Sequence, residues 1–139
     1  MAVIGLDHLV LTVRDVSATY HFYATFLGME EVTFGRGRRA LQFGRQKINL
    51  HQQGHEVVPH AVAPRPGSAD LCFLTDMTVS QWMERLALCG VKPELGPVPR
   101  TGGVGSITSI YLRDPDGNLL ELACAGDGMT PTPEMERLT

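Results

Sequence analysis

Asp114-Pro115-Asp116-Gly117-Asn118-Leu119-Leu120-Glu121-Leu122 is a tight turn running into an apolar strand, and it decides how the chain is read. Pro115 fixes φ and Gly117 tolerates positive φ, so the five residues from Asp114 reverse the chain between two apolar runs. Beyond the turn, Leu120 and Leu122 flank Glu121 on a period of two. The leucines pack beneath a helix, and the carboxylate points to the opposite face. Ile48-Asn49-Leu50 has the same form, 72 positions earlier.

Working outward from these trios exposes an internal repeat. His8 to Asp70 is 62 positions, and Gly28 to Gly90 is also 62. In the first half, Gly5 to Val13 alternates as a strand. Asp15 then caps a helix in which Val16, Tyr20, Tyr23 and Leu27 form an apolar stripe, and Gly28 stops it. Strands at Met29–Phe34, Arg39–Phe43 and Lys47–His51 follow, separated by glycine-containing turns. In the second half, Ser68–Thr75 alternates as a strand and Thr78 with Gln81 forms a capping box. Val79, Trp82, Met83, Leu86 and Ala87 share one helix face, and Gly90 ends that helix. A strand at Val91–Pro99, a glycine-rich loop at 101–105 and two strands joined by the opening turn complete the half. The offset grows from 62 to 72 because the turn before Leu119 is longer than the one before Ile48.

Each half therefore reads as strand, helix and three strands. This gives an α+β chain of two tandem βαβββ modules, residues 1–52 and 68–125, joined by a Pro- and Gly-rich linker, 53–67, and followed by a loosely held tail, 126–139. Together they are expected to form one structural domain. With 139 residues and 43% apolar content the chain can bury a core. A net charge of -3 with no basic run excludes the electrostatic footprint of a nucleic-acid or anionic-membrane binder, leaving a small molecule or a second copy as the expected partner. Residues 1–14 lack a basic segment followed by an apolar core, so a cytoplasmic location is expected. Cys72, Cys89 and Cys124 are widely spaced in apolar contexts and read as reduced, buried thiols.

The repeat also assembles a candidate site. His8 shares a strand face with Leu6, Val10 and Thr12. A lone strand histidine is more often packed than ligating, but the repeat places Asp70 where the first half has His8, and Glu121 where it has Asn49. His51 shares the face of Asn49. His8, Asp70, Glu121 and either His51 or Asn49 thus form a constellation of imidazole and carboxylate. Such donors suit a divalent metal ion such as Zn, Ni, Fe, Mn or Co, and the lack of thiolate argues against a closed structural zinc. His55 and His60 fall in the linker and Arg113 before the turn, and all three read as solvated.

With Asp7-His8-Leu9-Val10-Leu11, Phe22-Tyr23 before Leu27-Gly28-Met29, and Asp114 to Leu122, the chain resembles the vicinal oxygen chelate superfamily from Leu6 to Leu122. This superfamily includes glyoxalase I, fosfomycin-resistance proteins, bleomycin-binding proteins and extradiol dioxygenases. Lys47 to His51, Pro66 to Asp70 and Gly96 to Gly102 are similar to the glyoxalase domain-containing protein 5 branch.

The resemblance implies that the two modules form a curved mixed sheet around a cavity, with helices on the outer face and a homodimer as the assembly. It implies one open metal position fed by the opening and closing strands, which His8 and Glu121 match directly. Asp70 stands where the family usually has histidine, and Asn49 where glyoxalase I has glutamate, so His51 becomes the expected fourth ligand. The implied activity is that of a metal-dependent glyoxalase-like lyase or isomerase, similar to lactoylglutathione lyase. It would chelate vicinal oxygens of a small substrate and stabilise an enediolate or oxyanion, with Glu121 or His51 moving the proton. Arg100 and Thr101, beside flexible glycines, would hold an anionic substrate together with Asn49. Two alternatives stand beside this one: a metal-free drug- or metabolite-binding protein of the bleomycin-resistance type, and an Fe(II) extradiol-type dioxygenase.

Overall fold

The structure, a computed structural model, describes residues 2–125. The tail expected at 126–139 lies outside the described residues. The described residues divide into two compact units, one made of residues 2–69 with Asp114–Asn118, the other of Asp70–Arg113 with residues 119–125. Each unit has a mixed four-stranded sheet and its own helix, the α+β arrangement that the repeat predicts.

In the first unit, β1 (His8–Val13) pairs in parallel with β4 (Gln46–Gln52). β4 pairs antiparallel with β3 (Arg38–Phe43), and β3 with β2 (Glu30–Phe34). A parallel neighbour requires a crossover, which α1 (Val16–Tyr20) supplies. The Asp15 carboxylate caps α1 by accepting from the backbone N–H groups of Ser17 and Ala18, at 2.9 and 3.2 Å. The helix expected to run unbroken to Leu27 becomes a wider π-helical segment at His21–Phe26. Tyr20, Tyr23 and Phe26 stay buried through the change, so the apolar stripe serves both geometries and could not signal where one gives way to the other. Leu11, Val13, Leu41, Ile48 and Leu50 of the same unit are also buried. Each such side chain contributes about 1.5–3 kcal/mol of burial free energy.

The second unit repeats this order. β5 (Asp70–Thr78) pairs in parallel with β8 (Leu119–Ala125), β8 with β7 (Gly105–Arg113), and β7 with β6 (Leu95–Gly102). The crossover helix α2 (Val79–Leu88) carries both halves of the Thr78/Gln81 capping box and buries Trp82 and Leu86. β6 begins four residues later than expected, because Glu94 rather than Val91 makes the first backbone bond to β7, through Tyr111 O at 2.8 Å. The expected glycine-rich loop shrinks to the hairpin between Gly102 and Gly105.

The repeat register holds at the level of paired residues. His8 stands opposite Lys47 in the first sheet, and Asp70 opposite Leu119 in the second, reproducing the offsets of 62 and 72. The Asp114–Asn118 turn, which the sequence assigns to the second module, is built into the first unit. Asp114 accepts from Tyr23 Oη and Asn118 Nδ2, both at 2.7 Å, and from the backbone N–H groups of Asp116 and Asn118, both at 2.9 Å. Asp116 accepts from the Arg14 N–H at 3.1 Å, and Asn118 Oδ1 from the Ala69 N–H at 2.8 Å. Among the described residues, no helix is long and apolar enough to cross a membrane.

Candidate functional site

In the first unit the face of the sheet turned from α1 carries the predicted residues. Parallel pairing sets Asn49 opposite Val10 and His51 opposite Thr12, so His8, Val10 and Thr12 share a face with Asn49 and His51. His8 is exposed, and its Nδ1 lies 2.8 Å from an Asp7 carboxylate oxygen. A carboxylate behind an imidazole fixes the ring and leaves Nε2 for a ligand, the arrangement that orients metal-binding histidines. His51 is placed differently. It lies four residues along the paired strands from the level of His8, about 13 Å at the rise of a parallel strand, so this face does not bring the two imidazoles together.

His51 is instead enclosed. It is only 5% exposed, and neither ring nitrogen has a hydrogen-bond partner among the described residues. Asn49, 4% exposed, likewise has an unpartnered Oδ1. Burial, and secondarily the Arg38 guanidinium, lower the proton affinity of His51 and favour its neutral form. His51 borders two cavities. One, of about 350 Å³, is lined by Val10, Thr12, Pro59, His60 and Pro64. The other, of about 240 Å³, is lined by Arg36, Arg38, Asn49 and His55 among others. The linker thus supplies a wall of the His51 cavity, a role its composition did not signal. His55 and His60 remain exposed, as expected.

In the second unit, Asp70 stands opposite Leu119 and Cys72 opposite Glu121. Asp70, Cys72 and Glu121 therefore share a face, with the two carboxylates one pleat repeat apart on neighbouring strands, about 6.6 Å along them. That separation lets two carboxylates approach a common ion. Glu121 is held by β7: the fully buried Ser109 donates its Oγ proton to Glu121 Oε2 at 2.6 Å. Tyr111 stands opposite Glu121 and receives a hydrogen bond from Arg100 Nε at 3.1 Å. Arg100 also donates through Nη1 to Pro99 O at 2.9 Å. It is thus anchored rather than loose, and Thr101 beside it is exposed.

The expectation of three buried thiols is corrected. Cys124 is buried, but Cys72 and Cys89 are exposed. Cys72 alternates onto the Glu121 side of β5 instead of the packed side, where its thiol is pushed up to about 11, first by desolvation and then by the Glu121 charge. It stays protonated near neutrality. Arg113 forms an exposed ion pair with Glu94 at 2.9 Å, in keeping with a surface role.

Asp7, Ser109, Tyr111 and Arg38 are the site residues that sequence reading missed. Ser109 and Tyr111 are ordinary alternating strand residues, and only the pairing of β7 with β8 sets them against Glu121. Among the described residues, no three His, Cys, Asp or Glu side chains gather closely enough to hold a metal ion.

Comparison with known proteins identifies the family and the fold. Virulence protein STM3117 of Salmonella typhimurium is 52% identical over 123 residues, covering 88% of this chain and 85% of that protein. Its crystal structure superposes with a TM-score of 0.86 over 89% of this chain and 98% of that one. Glyoxalase domain-containing protein RDO1 of Mycosarcoma maydis is 52% identical over 127 residues, covering 91% of this chain and 72% of that protein. At 23% identity the fold alone is shared with the fosfomycin resistance protein FosX of Listeria monocytogenes, solved with Mn(II) and sulfate. The TM-score there is 0.62, over 99% of both chains. The family model matching residues 5–122 is that of the Glyoxalase/Bleomycin resistance protein/Dioxygenase superfamily, and the chain belongs to that superfamily.

Proposed function

We propose that this chain is a metal-dependent, glyoxalase-like lyase or isomerase acting on a small substrate that carries two adjacent oxygens. In the second unit its metal donors are Asp70 and Glu121, and His8 is the candidate donor of the first unit. The observation that carries the reading is the placement of Asp70 and Glu121 one pleat repeat apart on one face, with Glu121 fixed by the buried Ser109. The Asp7 carboxylate behind His8 supports the same assignment from the first unit. A divalent ion on these donors supplies Lewis-acid polarisation of the substrate oxygens.

The remaining steps belong to the chain's own side chains. Glu121 takes the proton from the carbon beside the polarised oxygen and returns it to the neighbouring carbon. Ser109 keeps its carboxylate oriented during the transfer. His51 lies too far along the sheet from His8 to serve the same ion or the same reacting carbon. With Asn49 it recognises the distal part of the substrate. Arg100, anchored on Tyr111, presents its charge from β6, and Thr101 adds a hydroxyl there. FosX, a fold neighbour solved with Mn(II), makes a divalent ion a natural occupant of such a fold.

The test is turnover of the thiol adduct of an α-oxo aldehyde in deuterated water, with protein loaded in turn with Zn, Ni, Fe, Mn or Co and the product followed by NMR. The expected product is the α-hydroxy thioester, with a rate falling by about 100-fold or more in Glu121→Gln. Failure of every ion to support turnover overturns the lyase reading.

A further inference from the structure

The first unit carries a feature that metal chemistry does not use. Arg36, Arg38 and Arg39 crowd one hairpin of a chain whose net charge is -3. The two ion pairs among the described residues, His8 with Asp7 and Arg113 with Glu94, involve none of them. Arg38 lies over the Phe34 ring at 4.9 Å and Arg39 over the Tyr20 ring at 4.3 Å, contacts that hold the guanidiniums in place without neutralising them. The antiparallel pairing that sets Arg39 opposite Leu50 brings Arg38 beside His51, on the face of Asn49.

Two independent observations thus meet in the cavity of about 240 Å³ lined by Arg36, Arg38, Asn49 and His51. One is the positive charge of Arg36 and Arg38, which no ion pair among the described residues neutralises, although the Glu56 carboxylate also acts on His51. The other is the set of buried nitrogens of His51 and the Oδ1 of Asn49, none of which has a hydrogen-bond partner among the described residues. Leaving such groups unsatisfied costs about 1–3 kcal/mol each, so their persistence together points to a ligand that satisfies them. We propose that this cavity receives an oxyanion of the substrate, a carboxylate or a phosphate-type group. Arg38 and Arg36 supply its countercharge, His51 donates one ring N–H to it, and Asn49 and the second His51 nitrogen bind an adjacent polar group. The volume admits the oxyanion and a few carbons. The lowered proton affinity of His51 agrees with a neutral donor that adds directionality without a further charge. The proposal rests on the preceding reading only in placing substrate on this sheet face, and it names the class: an anionic small molecule whose charged end lies remote from His8.

The test uses the full chain freed of metal by chelation and titrated with inorganic phosphate and, separately, with sodium acetate, while the His51 ring signals are followed by nitrogen–proton NMR. The expected result is a saturable shift with at least one anion, and the stronger of the two tells phosphate-type from carboxylate ligands. Arg38→Ala is expected to weaken binding by at least about tenfold. Arg36→Ala, at an exposed turn where folding is not at stake, is expected to weaken it about two- to fivefold. Arg45→Ala, on an arginine outside the cavity lining, is expected to leave it unchanged. Absence of a saturable shift with both anions, or equal weakening by Arg45→Ala and Arg38→Ala, overturns the proposal. Titration with Mn(II) or Zn(II) runs in parallel. Metal uptake without anion binding sinks the pocket alone, whereas anion binding without metal uptake upholds the pocket and sinks the metalloenzyme reading.

Discussion

Ser109 Oγ donates to Glu121 Oε2 at 2.6 Å from a position with no solvent exposure, so β7 and not solvent sets the orientation of the carboxylate on β8. Hydrogen bonds to a ligating carboxylate govern its affinity for an ion. Ser109→Ala is expected to weaken divalent-metal binding by about 10- to 100-fold while costing only about 1–2 kcal/mol of stability. Calorimetric metal titration beside urea unfolding separates the two effects. Unchanged metal affinity would reduce Ser109 to a packing residue.

The Tyr23 hydroxyl donates to Asp114 at 2.7 Å in the buried interior of the first unit. Burial first, then the neighbouring Asp114 charge, raises the phenol well above its ordinary range, so it remains a donor at every accessible pH. Removal of the hydroxyl leaves Asp114 with its Asp116 and Asn118 donors. Tyr23→Phe is therefore expected to lower unfolding free energy by about 1–3 kcal/mol. The urea midpoint should fall with an unchanged m-value.

Gly96 has φ +108°, and a Cβ there would stand 2.5 Å from Ser109 O and 3.1 Å from Ile110 Cα. Both are backbone atoms of β7 and cannot swing aside. Gly96→Ala is expected to cost about 2 kcal/mol or more. Gly103→Ala, where nothing lies within 4 Å, serves as the control and should be nearly neutral. Thermal unfolding of the pair decides it.

His51 predicts a pH dependence. Its folded-state proton affinity is lowered, by burial and then by Arg38, from an ordinary value of 6.5. Well above 6.5 neither folded nor unfolded imidazole is protonated, and the full contribution is present. As pH falls through 6.5 the unfolded chain takes up the proton first, and stability drains away until pH has passed below the folded value. The other four histidines, His8, His21, His55 and His60, are exposed. Melting temperature should therefore fall on acidification from about pH 7.5 to 5.5, and His51→Gln should flatten that slope. Equal slopes in both proteins would show that His51 titrates normally.

The repeat was legible because its signals are local: capping residues, helix-ending glycines and two apolar trios. These fix the strand register, so His8 and Asp70 take equivalent places opposite Lys47 and Leu119. What lay beyond reach depends on pairing across strands. Whether His51 meets His8 is a question of distance along β4, and the shared face that alternation predicts says nothing of the four-residue separation. Ser109 and Tyr111 acquire meaning only once β7 lies beside β8. The Asp114–Asn118 turn is plain as a turn, yet its attachment to Tyr23, Arg14 and Ala69 in the first unit leaves no mark in local composition. Cys72 was misplaced because apolar neighbours imply burial, while alternation set it beside Glu121.

The central claim is that Asp70 and Glu121 hold a divalent ion. It is tested most directly by calorimetric titration of the chelator-treated chain with Zn, Ni, Fe, Mn and Co, alongside Asp70→Asn and Glu121→Gln. The account predicts uptake of about one ion per chain by the unaltered protein and at least about 100-fold weaker binding in either variant. Failure of every ion to bind, or undiminished binding after both substitutions, would contradict it.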